Sequence, residues 1–215
     1  GALGARAAWI QTVRASSLAA MAQTQAKKPI VLPAGRGTIY DRLGNPLAIG
    51  PAEVDVDADP MQITDPRSEA RTAAKVLGIP FKPLYRQLSD RSRQFVYVQR
   101  KAPPRLAAAL EKRHLVGFTF APDQKRVYPQ QTVAASVLGY AGTDNTGLSG
   151  LELQLNKELK GTAGSATVVR DALGQPVNTI QQRPARDGRD IFLTLDSHIQ
   201  ANAEQVLEQT VRQWH

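Results

Sequence analysis

Cysteine is absent from this 215-residue chain, which excludes a disulfide framework, thiol chemistry and cysteine-ligated zinc. Histidine is scarce. His114, His198 and His215 lie far apart and none stands in a His-x-x-x-His or His-Glu pattern, so each reads as a surface or helix-end residue. No run of about eighteen apolar residues occurs, so no segment of the sequence reads as a membrane-spanning helix. No charged-then-apolar leader opens the chain. Aromatics make up only 6% of residues, and the cations are dispersed. With neither an RNA-binding signature nor zinc-finger spacing, nucleic acid is not expected as a partner. Catalytic signatures are missing as well. Gly147-Leu148-Ser149-Gly150 is one residue short of a nucleophile elbow. Lys160-Gly161-Thr162 has the letters of Lys-Thr-Gly in the wrong order, and neither Ser-x-x-Lys nor Ser-x-Asn occurs. Gly35-x-Gly37 alone does not make a phosphate loop, so no cofactor and no metal is expected.

What is present is a folded composition: 42% hydrophobic and 21% charged, long enough to bury a core. Fourteen prolines and sixteen glycines point to short elements and many turns. The formal charge of +8 points to an anionic partner or to a basic proteome. The central stretch is Gly35-Arg36-Gly37-Thr38-Ile39-Tyr40-Asp41-Arg42-Leu43-Gly44-Asn45-Pro46-Leu47-Ala48. Asp41 can fold its carboxylate onto nearby backbone N–H groups and Gly44 can take positive φ, so Asp41 to Gly44 reads as a hairpin turn. Arg36 stands at its mouth between two glycines that permit close backbone approach. The same pattern returns at Val168 to Val177, with Asp171 and Gly174 in the turn, which suggests one sheet built from two distant hairpins.

Along the chain, residues 5 to 24 read as helix, ended by Lys27-Lys28-Pro29, and Ile30 to Leu32 as strand. Glu53 to Asp59 alternates strictly and reads as a strand with a solvated acidic face. An EF-hand loop begun at Asp55 would need Gly and Glu where Pro60 and Pro66 stand. Asp65-Pro66 opens a helix to about Leu77, stopped by Gly78. A second helix covers Pro83 to Asp90, and Phe95 to Val98 is a strand. Pro103-Pro104 opens a third helix ending near His114. Phe118–Phe120 and Lys125–Tyr128 read as two extended pieces, Thr132–Leu138 as a helix closed by Gly139, and Ser149–Leu159 as a helix ended by Gly161. Arg183 to Gly188 is a polar connection. Asp190 to Asp196 reads as a strand, and Asp196 or Ser197 caps a last helix with Ile199, Ala203, Val206 and Val211 spaced for burial. The alternation is α+β.

Taken together, these segments resemble class B penicillin-binding proteins. Arg36 to Ala48 resembles their first conserved box, with Arg36, Gly37, Asp41, Arg42 and Gly44 in place. Arg126-Val127-Tyr128-Pro129, followed by Ala134 to Tyr140 with Gly139, is similar to the second. Gly147, Gly150 and Glu152, then Gly161 and Gly164, are similar to the third. Asp190 to Gln200 resembles the opening of the transpeptidase domain. Ser136 stands where many members carry His, and Leu43 where a polar residue is common.

The resemblance implies an elongated pedestal, with residues 1–28 as a juxtamembrane helix continuing a membrane anchor. Residues 29–182 would be the non-catalytic pedestal domain, 183–189 a linker and 190–215 the start of a transpeptidase domain. It implies a bacterial D,D-transpeptidase as the parent, on the extracytoplasmic face of the cell membrane, with this chain ending before the acylated serine. Implied partners are the parent's own transpeptidase domain, a polytopic glycan polymerase, other membrane cell-wall synthesis proteins, peptidoglycan and a second copy of the chain. The spacing from Gly142 to Gly150 is more like division-type members than elongation-type ones. Arg36, Arg126 and Glu152 are expected to converge in a partly buried cluster. The competing reading is a stand-alone secreted protein that binds an anionic wall polymer.

Overall fold

The computed structural model describes residues 27–170 and 176–214. The helix expected over residues 5 to 24 and the late hairpin's tip, with Asp171 and Gly174, lie outside the described residues. The fold is mixed α and β, as the sequence predicts. The strands are β1 (Lys27–Leu32), β2 (Ile39–Tyr40), β3 (Pro46–Ala48), β4 (Ala52–Ala58), β5 (Val96–Ala102), β6 (Phe118–Gln124), β7 (Gly164–Arg170), β8 (Pro176–Arg183) and β9 (Ile191–Phe192). The helices are α1 (Pro66–Leu77), α2 (Phe81–Ser89), α3 (Pro104–Glu111), α4 (Ala135–Leu138), α5 (Gly150–Gln154), α6 (Asn156–Leu159) and α7 (Ser197–Trp214).

The chain forms two compact units. Among the described residues, one takes 27–34 together with those of Thr162–Arg186. It holds an antiparallel sheet in the order β1-β7-β8. Lys27 and Lys28 belong to β1 here, where the sequence reading placed the end of a helix. The other unit joins Gly35–Gly161 to Asp187–His215. The two hairpins therefore do not share a sheet: β2 and β3 pair with β9, while β7 and β8 pair with β1. Turn chemistry decides which neighbours fold back on each other, but it does not choose the third strand.

In the larger unit, β5-β4-β6 is antiparallel and carries α1, α2 and α3 on one face. Val54, Val56 and Ala58 of β4 point into this layer with Val96 and Val98 of β5. They meet Ala70, Ala73, Ala74 and Leu77 of α1, Leu84 and Leu88 of α2, and Leu110 of α3. The Asp65 carboxylate accepts the Ser68 N–H at 3.1 Å, Pro66 fills the first helical position, and Gly78 at φ 72° closes the helix. α2 begins at Phe81, two residues before its expected start. β6 carries the first expected extended piece on to Gln124, with Pro122 tolerated because β6 lies at the sheet edge, while of Lys125–Tyr128 only Val127 pairs, in an isolated bridge with Ile49. The expected helix over Ser149–Leu159 breaks at Leu155 into α5 and α6.

The other face of this sheet corrects an expectation. Asp55 and Asp57 are 9% and 8% exposed, so the acidic face is covered, not solvated. Asp55 accepts the Lys101 N–H at 2.7 Å and lies 3.5 Å from the Arg100 Nε. Asp57 stands in register with Tyr97, over whose ring the Arg100 guanidinium sits at 4.9 Å. Period-2 spacing shows that the acids share a face; it does not show whether neighbouring side chains close over it.

The second core gathers Ile39, Leu47, Ala48, Ala134, Leu138 and Leu159, with Ile191 and Leu193 against it. β9 runs parallel to β2 and spans only two residues of the seven expected. Asp196 accepts the N–H groups of His198 and Ile199 at 3.0 and 3.2 Å and starts α7. Ile199, Val206 and Val211 are exposed rather than packed. Helical spacing marks an apolar stripe without naming what covers it.

Burial, and then the charge of Asp55, push the Asp57 carboxyl from 3.8 up to about 6, while Arg100 opposes the shift. The folded state thus holds this proton more tightly than the unfolded chain. Its contribution to stability is full below pH 3.8 and is lost as pH rises through about 6. Asp57→Asn should raise the melting temperature at pH 7.5, and the gain should shrink towards zero by about pH 3.5 in a thermal melt series.

Candidate functional site: a buried charge junction

Three segments distant in sequence meet around Glu152, which is 0% exposed. The first is the mouth of the β2–β3 hairpin. Gly37 lets its backbone run against Arg189, where a Cβ would stand 2.0 Å from the carbonyl oxygen. Its N–H donates to the Leu159 carbonyl at 2.8 Å. This anchorage turns Arg36 inward. Its Nε and one terminal nitrogen donate to Glu152 Oε2 at 2.8 and 2.5 Å. The same terminal nitrogen also reaches the Glu152 carbonyl at 2.9 Å. The other donates to the Asn145 carbonyl and to Asn156 Oδ1 at 2.9 and 2.8 Å. The Arg36 backbone N–H donates to Gln124 Oε1 at 2.7 Å.

The second segment follows β6. Val127 exchanges backbone hydrogen bonds with Ile49 at 2.9 Å, and this bridge orients Arg126. Arg126 Nε donates to Glu152 Oε1 at 2.7 Å, and Nη1 donates to the Gly37 carbonyl at 2.8 Å. The Tyr128 hydroxyl donates to Glu152 Oε1 at 3.3 Å and accepts the Ala141 N–H at 3.0 Å. Burial first, and then the Glu152 charge, raise the Tyr128 phenol above its ordinary range.

The third segment is α5, which carries Glu152. Gly147 makes room for it, since a Cβ there would fall 1.9 Å from the Glu152 carbonyl oxygen. Gly139 and Gly150 let α4 and α5 cross closely; a Cβ on Gly139 would lie 2.1 Å from the Ser149 carbonyl oxygen. Asn156, one helical turn after Glu152, accepts from Arg36 and from the Gly147 N–H at 3.0 Å. The result is a carboxylate held on both oxygens by two guanidinium groups whose side chains are 1% and 3% exposed. Charge-assisted hydrogen bonding of this kind, one arginine on each oxygen, fixes geometry in a dry setting. Both Glu152 oxygens are engaged and the residue is 0% exposed, an arrangement that ties the three segments together.

Asp41 makes a second, linked junction. Its Oδ1 accepts the N–H groups of Leu43 and Asn45 at 2.9 and 2.8 Å, and Oδ2 accepts the Asn45 side-chain amide at 2.9 Å. Oδ2 also takes the Ser197 hydroxyl at 2.7 Å, at the start of α7. Burial works to raise this carboxyl, but the bonds from Asn45, Ser197 and Leu43 outweigh it and hold Asp41 well below the usual carboxylate range. Gly44 takes φ 84° in the turn.

The remaining motif residues lie outside the junction. The Arg42 side chain is exposed and its N–H donates to the Leu195 carbonyl at 2.8 Å. Pro129 is exposed. Gly161 takes φ 66° after α6, and Gly164 opens β7 in the smaller unit. Sequence reading offered Ser197 only as a possible helix cap, a place that Asp196 takes, and missed Asn145, Asn156 and Gln124. Asn156 carried a usable signal, its i,i+4 spacing from Glu152; Gln124 carried none.

The profile of the penicillin-binding protein dimerisation domain matches residues 31–193. The chain belongs to that family. It corresponds to the N-terminal region of class B members. It is 30% identical over 212 residues to the probable peptidoglycan D,D-transpeptidase PenA of Neisseria meningitidis, covering 96% of this chain and 36% of that protein. Stage V sporulation protein D of Bacillus subtilis is 30% identical, at 98% and 33% coverage. The peptidoglycan D,D-transpeptidase FtsI of Escherichia coli is 26% identical, at 91% and 34% coverage. The chain thus spans about a third of the length of these relatives. Among solved structures, penicillin-binding protein 2X of Streptococcus thermophilus superposes at TM-score 0.64 with 25% identity, over 86% of this chain and 32% of that one. PBP2 in its complex with MreC from Helicobacter pylori shares the fold at TM-score 0.67 with 22% identity, over 85% and 38%.

Removing one partner of the junction leaves two buried cations uncompensated. Glu152→Ala should cost about 3–5 kcal/mol in chemical denaturation. Glu152→Gln, which keeps shape and some hydrogen bonds, should cost less.

Proposed function

We propose that this chain is the non-catalytic pedestal of a bacterial cell-wall D,D-transpeptidase, which positions the catalytic domain and docks membrane partners. The observation that carries this reading is the pair of buried junctions. Arg36–Glu152–Arg126 locks the hairpin to α5, and Asp41–Ser197 locks the same hairpin to the first turn of α7. A rigid block that grips the segment resembling the opening of a transpeptidase domain suits a spacer and not a reaction centre. On this reading, residues 29–182 serve as the pedestal and residues 190–215 lead into the catalytic domain, on the extracytoplasmic face of the cell membrane. The complex of a fold neighbour with MreC supports docking of membrane-associated wall-synthesis proteins. A polytopic glycan polymerase is the partner that the family resemblance favours.

The test uses the longer parent protein beside this chain. The parent should be labelled by fluorescent penicillin and this chain should not; labelling of this chain overturns the reading. In the parent, Asp41→Ala should leave the penicillin acylation rate within about twofold while lowering cross-linked product in an assay coupled to the polymerase. Equal loss of acylation and cross-linking would assign Asp41 to active-site integrity instead.

A further inference from the structure

We propose that Glu204 is a positioning residue that sets the direction in which α7 leaves the larger unit. What this means for catalysis rests on the pedestal reading; what it means for the helix does not. No residue of α7 joins either apolar core among the described residues. Polar contacts hold the helix instead, at two places. In the first turn, the Ser197 hydroxyl donates to Asp41 Oδ2 at 2.7 Å, and the Ser197 N–H donates to the same oxygen at 3.3 Å. Two turns later, Glu204 Oε1 accepts the backbone N–H of Ala134 at 2.9 Å, from 70 residues away in sequence. Every residue from Gln205 to Trp214 is exposed.

The second contact is built from both sides. Ala134 is 0% exposed and sits at φ 56°, a left-handed backbone that an alanine adopts only at a cost. Its carbonyl accepts the N–H groups of Val137 and Leu138 and so starts α4. Its own N–H has Glu204 as its partner, and a buried donor left without one is expensive. Gln200, one turn before Glu204, donates its side-chain amide to the same Oε1 at 2.7 Å and holds the carboxylate in place. One side chain aims the carboxylate, and one buried donor depends on it.

Two points fix a line. At about 1.5 Å per residue, Ser197 and Glu204 stand roughly 10 Å apart along the helix axis, and Trp214 lies about 15 Å further on. With the first anchor as pivot, a shift of about 1 Å at Glu204 becomes a shift of roughly 2.4 Å at Trp214. Without the second anchor, α7 is attached at its first turn alone, and no apolar contact takes over. The lever carries Val206, Leu207, Val211 and Trp214, each more than half exposed. On the pedestal reading this stretch leads into the catalytic domain. Glu204 then orients that domain on its support without touching substrate.

The chain has no cysteine, so spin labels can be placed singly. The experiment labels Gln213→Cys on α7 and Lys157→Cys on α6, both exposed, and measures the distance between them by pulsed electron paramagnetic resonance. Samples are frozen from well below the melting temperature, so that a lowered stability does not enter the readout. With Glu204 in place the distance distribution should be narrow. Glu204→Gln, which keeps a carbonyl oxygen for the Ala134 N–H, should leave it narrow. Glu204→Ala should at least double its width, and Gln200→Ala, which frees the carboxylate to swing, should give an intermediate width. No broadening in either alanine variant, or equal broadening in Glu204→Gln, overturns the proposal. In the longer parent, Glu204→Ala should lower cross-linked product at least threefold with penicillin acylation within twofold of wild type, and Glu204→Gln should restore it. Equal losses of acylation and cross-linking, or cross-linking at the wild-type level, overturn the assignment to the catalytic domain. A parent that penicillin does not label would sink the pedestal reading and leave the distance result standing.

Discussion

One buried carboxylate organises the larger unit. A carboxylate buried away from water needs compensation, and the chain brings one guanidinium group to each Glu152 oxygen. Each arginine also bonds a backbone carbonyl, Arg36 that of Asn145 and Arg126 that of Gly37. The cations therefore knit main chain to main chain, and the carboxylate is the knot. Glycines at positions 37 and 147 are part of the same constraint, because a side chain would collide with the Arg189 backbone at the first and with the Glu152 backbone at the second. Charge and steric room had to arise together.

The junction extends through a chain of polar contacts. Asn145, whose carbonyl takes Arg36, also donates its side-chain amide to Asp123 at 2.9 Å, and Asp123 pairs with Lys101 at 3.1 Å. Lys101 Nζ also donates to the Gln124 carbonyl. The three-stranded sheet is thereby tied to the hairpin without sharing its apolar core. Buried polar networks of this kind contribute more to a single geometry than to net stability. That is the property the proposed pedestal role calls for. The covered acids Asp55 and Asp57 belong to the same side of the sheet, and Asp57 keeps one oxygen unpaired among the described residues, which is a cost the sheet carries.

The motif boxes of the family acquire physical meaning here. The first supplies Arg36 and the turn held by Asp41, the second Arg126 and Tyr128, and the third Glu152 with the glycines that admit it. They are distant in sequence and form one contact set in space. Several motif residues, including Arg42 and Pro129, remain at the surface, so motif membership alone does not place a residue in the junction.

Much of this was legible before the fold was known, and for local reasons. Asp65-Pro66 and Gly78 bound α1 because caps and breakers act on neighbouring backbone. Asp41 and Gly44 marked the hairpin turn for the same reason. The meeting of Arg36, Arg126 and Glu152 could be anticipated from charged residues beside glycines and strands in each box. Sequence could not show that the two similar hairpins enter different sheets, that the acidic face of β4 is roofed, or that the α7 stripe stays open. Those outcomes depend on which surfaces meet, and neither turn chemistry nor periodicity carries that information. By itself, the sequence determined most of the elements, the family and the three charges of the Glu152 junction. Only the tertiary structure decided their partners, because a charge can be buried only where distant backbone comes close enough to supply its counter-ion and exclude water.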